Sequence, residues 1–161
     1  MPADFLLRYF DAEKQESLLF VAVGIAAIVA SLYLYRRARR WRGMVGPLVA
    51  IAAIQLFVGA AVFLRTDSQV AALQRQLVAT PATFKVEEGA RMKTVLRNFD
   101  LYKSIELALL AAGIAVALGL RGREYWRAFG LALALQSAFM LVLDFYAEAR
   151  AQDYVAALRA L

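Results

Sequence analysis

The 161-residue chain contains no cysteine and no histidine. Without cysteine there is no disulfide, no thiolate nucleophile and no CxxC metal or redox motif. Without histidine, imidazole-ligated haem, the common zinc sites and Ser-His-Asp or Cys-His catalysis are excluded too. Glycine-rich phosphate loops and GxSxG, HExxH and EF-hand patterns are missing, and no internal repeat is present. No cofactor is expected. A metal site would have to be assembled from carboxylates alone, and the acids form no ligand motif.

What is present is apolar. Hydrophobic residues make up 62% of the chain, against about half in a soluble domain. Residues 17–35 and 44–64 run for 19 and 21 residues without a charge, the length of roughly 20 residues that crosses a bilayer. Two further runs, 101–120 and 125–146, reach the same length with polar ends. The sequence therefore predicts one all-α membrane domain over 1–161, a four-transmembrane-helix bundle. The leading segment carries four acids against Arg8 and Lys14, unlike the basic start of a cleaved signal, so the first run is expected to be retained.

Charge orients the bundle. The loops 36–42 (RRARRWR) and 121–127 (RGREYWR) together hold eight basic residues and one acid, a net of +7. The rest of the chain has a net of −1, which completes the overall +6. The positive-inside rule places both loops in the cytoplasm. Both termini and the segment 65–100 are then expected outside, in a bacterial inner (plasma) membrane. Basic charge beside apolar runs suits membrane lipids rather than nucleic acid.

The insert 65–100 reads as two helical pieces. Val70, Leu73 and Leu77 form a stripe along DSQVAALQRQLVA, and TPAT (80–83) is expected to break it at Pro81. A second helix from Thr83 is expected to run unbroken into the third span. Its seam reads Met92, Val95, Phe99, Tyr102, Glu106, Leu109 and Gly113, in steps of three and four. Phe5, Leu6, Tyr9 and Phe10 before the first span, and Tyr154, Val155 and Leu158 after the fourth, are amphipathic flanks suited to the outer interface.

The sharpest chemical signal is acid inside apolar sequence. Glu106 opens the third span, and Asp144 and Glu148 lie one turn apart on the fourth. Ionisable groups within spans usually face a bundle interior or a wet cavity. Glu106, Asp144 and Glu148 are thus candidate ligand or partner-binding residues, with Tyr102, Lys103 and Arg91 as their partners, near the outer edge of the bilayer. The competing structural reading is a salt-bridge set that locks helix ends, Glu106 with Lys103 or Glu148 with Arg150. Gln55 and Gln136, near the middle of spans 2 and 4, are expected to hydrogen-bond across helices. Gly113 with Ala117, and Gly24 with Ala27 and Ser31, permit close helix approach.

No catalytic pair stands out, and most polar sequence lies on the outer side. The first functional expectation is a small non-enzymatic accessory protein that presents its outer helical surface to another membrane or extracytoplasmic protein. The second is a bundle that binds or transports a small ligand, lipid, proton or cation through Glu106 and Asp144. An intramembrane enzyme using the same acids ranks third.

Overall fold

A computed structural model describes residues 4–120 and 122–161. Arg121 of the second basic loop lies outside the described residues. Four long helices dominate: α1 (Asp4–Arg37), α2 (Val45–Ala79), α3 (Pro81–Gly119) and α4 (Glu124–Arg159). A 3-10 helix, Arg39–Met44, joins α1 to α2. Among the described residues there is no strand. All four helices are long and apolar enough to cross a membrane.

The connections explain the length of the elements. α2 runs through the expected amphipathic piece without a break, and a single residue, Thr80, links Ala79 to Pro81. Proline is tolerated in the first turn because its missing N–H has no intrahelical partner there. Pro81 therefore opens α3, two residues before the expected start at Thr83. The insert 65–100 is the continuation of α2 and α3 rather than a separate unit. At 39 residues α3 is the longest helix, roughly 58 Å from end to end.

Successive helices run antiparallel. The 3-10 helix and the 120–123 turn lie at one end of the molecule, here the loop end. Asp4, Thr80 and Arg159 lie at the other, the terminal end. α1 packs closely on α2 and α3 on α4, while the two hairpins meet more sparsely, mainly where α2 faces α4. The 3-10 helix locks the hairpins together at the loop end, where a Cβ on Gly43 would overlap the Tyr125 carbonyl of α4.

Each hairpin of the apolar half is closed by glycine. A Cβ on Gly113 would stand 2.6 Å from the Ala134 backbone nitrogen, and one on Gly130 2.6 Å from that of Ala117. In the other hairpin a Cβ on Gly59 would stand 2.7 Å from the Ser17 carbonyl. These backbones approach too closely for any side chain, as the small residues at 113, 117 and 24 lead one to expect.

Towards the terminal end large side chains replace glycine. Leu6, Tyr9, Phe10, Leu77, Phe84, Met92, Ala151, Tyr154 and Leu158 form one buried core, with Val70, Leu73, Val95 and Phe99 against it. All four helices contribute. The amphipathic flanks of α1 and α4 thus cover the mouth of the bundle.

The seam of α3 departs from the expected one. Tyr102 and Leu109 are exposed, whereas Lys103 and Leu110 are half-buried and alternate with the buried Glu106 and Gly113. The expected steps follow a period of 3.5 residues. The observed steps keep that period, since Glu106 and Gly113 stay buried, and α4 meets the side of the seam that carries Lys103 and Leu110 rather than the side with Tyr102 and Leu109.

Candidate functional site

Three polar constructions occupy successive levels of the bundle. The head, at the terminal end, is centred on Tyr154. Its ring packs against Phe5, Tyr9 and Phe10 of α1 with centroids 5.2, 4.6 and 6.2 Å away. Its hydroxyl donates to Glu88 Oε1 at 2.7 Å. Arg91, one turn further along α3, donates to both oxygens of Glu88 at 2.7 Å and stacks over Phe10, 5.6 Å from the ring centroid. Glu88 is thereby a buried carboxylate with its acceptors filled, the arrangement a buried charge requires. Burial pushes the Tyr9 phenol up to about 12, with the nearby Glu13 carboxylate adding to the rise. Burial also raises the Tyr154 phenol, as does its hydrogen bond to Glu88.

Glu88 is the residue that sequence reading missed. Its signal was its place three residues before Arg91 and four before Met92, on the buried face of α3. Arg91, grouped with Glu106 as a candidate partner, instead belongs to this head. It lies 15 residues from Glu106, roughly 22 Å along the helix axis.

A collar of ion pairs lies below the head, where the apolar runs end. Lys14 pairs with Asp67 at 2.6 Å and Arg65 with Glu13 at 3.6 Å, joining α1 to α2. Arg150 pairs with Glu16, joining α4 to α1. Lys103 pairs with Glu148, joining α3 to α4, and with Asp100 at 3.4 Å. The expected pairs Glu106–Lys103 and Glu148–Arg150 are not formed. Each base reaches across to a neighbouring helix, a pairing that sequence spacing does not reveal. Burial raises both Glu13 and Glu16 above the ordinary 4.5, against the pull of Arg65 on the first and Arg150 on the second.

The third construction lies within the apolar half. Glu106 of α3, Asp144, Ser137 and Gln136 of α4 and Gln55 of α2 are all buried. Gln55 is fully enclosed, and its amide nitrogen donates to Met140 Sδ at 3.4 Å. The expected Gln55–Gln136 pair is replaced by this contact, because α2 meets α4 one turn further from the loop end. Lys103 of α3 pairs with Glu148, one turn beyond Asp144 on α4, while Tyr102 beside Lys103 is exposed.

Among the described residues, no group of three or more histidine, cysteine or acidic side chains is placed to hold a metal ion. At the loop end, Arg40 pairs with Glu124 at 3.2 Å and Arg42 donates to the Tyr35 carbonyl at 3.0 Å, so the first basic loop is folded onto α1 and α4. Comparison of the chain with protein-family models, curated proteins and solved structures finds no match.

Proposed function

We propose that this chain is a small integral membrane accessory protein, without catalytic activity of its own, whose head docks another membrane or extracytoplasmic protein. The observation that carries the reading is the head. It has its own aromatic core, yet its tip leaves Val78 and Val86 exposed at 85% and 72%. Leu77, Pro81, Ala82 and Leu161 line an open apolar depression beside them. A head facing water gains nothing from such a tip unless something covers it.

In this reading the arginine-rich loop end is cytoplasmic and both termini are extracytoplasmic, by the positive-inside rule. The head then stands outside the bilayer, which favours a plasma-membrane location with the partner on the outer side. The collar lies at the outer interface, where charged side chains meet head groups at modest cost.

The absence of cysteine makes the test clean. Single cysteines at Val78 and at Ala38 are labelled in intact cells with a membrane-impermeant maleimide. Labelling at 78 and protection at 38 are expected, and the reverse overturns the orientation. A photo-crosslinking residue at Val78 or Val86 in native membranes is expected to yield one discrete heavier adduct. Monomer alone at both positions overturns the docking role.

A further inference from the structure

The apolar half contains acceptors that nothing in the fold satisfies. Gln55 Oε1, Glu106 Oε2 and Ser137 Oγ are buried with no hydrogen-bond partner among the described residues. They come from α2, α3 and α4. An unpaired buried polar group costs about 1–3 kcal/mol, and three in one short segment of an apolar bundle are a large expense for a fold that satisfies Glu88 fully.

The three atoms lie at one level. Gly113 packs on Gly130 and Ala134. Two turns outward along both helices bring Glu106 opposite 137–141. On α4, Ser137, Met140 and Asp144 follow at intervals of three and four and so share a face. Met140 receives the Gln55 amide, which aims that amide into the space between α2 and α4. Gln55 is the middle of its own apolar run, so the layer lies within the apolar half.

Charge is also unbalanced there. The basic groups closest to the layer are Lys103 and Arg150, and they are committed to Glu148 and Glu16. Glu106 has no basic partner within ion-pair distance among the described residues. The unmet needs are therefore a positive charge and a donor for three oxygens of carboxylate, amide and hydroxyl type. Hard oxygen ligands of this kind suit small hard cations. A divalent ion takes six to eight such oxygens, usually with several carboxylates, and no third acid converges here.

We propose that this layer binds a small monovalent cation, of the alkali or ammonium class, through Glu106 Oε2, Gln55 Oε1 and Ser137 Oγ. Asp144, one turn nearer the terminal end, lies on the ion's approach, with Lys103 and Glu148 at the rim. The ion ties α2 to the α3–α4 hairpin beside the Gln55–Met140 contact. This inference is independent of head docking, since the layer and the tip share no residue.

The test is thermal unfolding of the purified full-length protein in detergent, at pH 7.5 and constant ionic strength, in sodium, potassium, ammonium or choline chloride. At least one small cation is expected to raise the midpoint saturably by about 5 °C over choline. Glu106→Gln is expected to abolish that rise while leaving the midpoint in choline equal or higher. Ser137→Ala, which removes one oxygen and little volume, is expected to weaken the apparent affinity about tenfold, and it carries the test should the Glu106 variant not fold. Equal midpoints in all four salts overturn the proposal and leave the layer to water or a proton. A cation effect that persists undiminished in both variants overturns it too, by placing the ion elsewhere.

Discussion

The head and the apolar half of this bundle are built from the same four helices by opposite means. In the head, α1 and α4 are joined through large rings around Tyr154, and the one deeply buried carboxylate has every acceptor filled. In the apolar half, backbones touch through Gly113, Gly130 and Gly59, and the buried Glu106, Gln55 and Ser137 are left with unpaired oxygens. In the membrane placement proposed above, the difference follows from solvent. In water, burying a large apolar side chain is itself the driving force. In lipid that force is absent, and helices associate through close packing of small residues and through polar contacts.

Variants can separate the two halves. The largest effect is expected from Tyr154→Ala, which removes the ring that three α1 aromatics pack on. A loss of about 4 kcal/mol is typical for truncating a buried aromatic. Limited trypsin cleavage at Arg91 and Arg97 should appear while the apolar half keeps its helicity by circular dichroism. Loss of all helix at a single midpoint would show instead that both halves unfold as one unit.

Gly113→Val attacks the other half, where the opposing atoms are backbone and cannot swing away. A cost of about 3 kcal/mol is expected from overpacking, read as a lower unfolding midpoint and a broadened size-exclusion profile. Wild-type behaviour would show that α3 and α4 can move apart freely.

Glu88→Gln is expected to cost about 2 kcal/mol, because Arg91 stays half-buried without its counter-charge. Double-mutant cycles with Tyr154→Phe should reveal coupling between the two.

Gly89→Ala sharpens the contrast from the other side. Its added Cβ would meet only a Leu158 methyl at 4.0 Å. In a helix interior this change should stabilise the head by about 0.5–1 kcal/mol, while no such gain exists at Gly113.

The smallest and most graded effect is with pH. Glu13, Glu16 and Tyr9 all hold their protons more tightly in the fold than in the unfolded chain. The folded state therefore binds more protons, and stability falls as pH rises. One decline should begin near 4.5, from the two glutamates, and a second near 10, from Tyr9 and Tyr154. Tyr9→Phe should remove part of the alkaline decline, and an unchanged profile would place the tyrosine outside the core.

Much of the architecture could be read from residue patterns, and particular elements show where that stopped. The stripe Val70, Leu73 and Leu77 does face the core, and the interruption at 80–81 is where α2 ends. Pro81 marks that end and also opens α3, since proline cannot continue a helix interior but can begin a helix. The fate of the aromatic flanks stayed open, because amphipathicity makes a face without naming what covers it. The 3.5-residue period places Tyr102 and Leu109 inward, but α4 meets the other side of the Glu106–Gly113 seam, where Lys103 and Leu110 stand. Glu88 was unremarkable by composition and became the best-satisfied acid in the head through Tyr154, 66 positions away.

What residue order determined alone is the part governed by local chemistry. The apolar runs, their charged ends, the one-sided arginines and the absence of imidazole and thiol all follow from which side chains stand in which segment. Only the tertiary structure decided which helix face meets which. That choice depends on rotation and register between helices, where a slip of one residue turns a side chain by about 100°. By that choice Lys103 pairs with Glu148, and Gln55 turns to Met140 rather than Gln136.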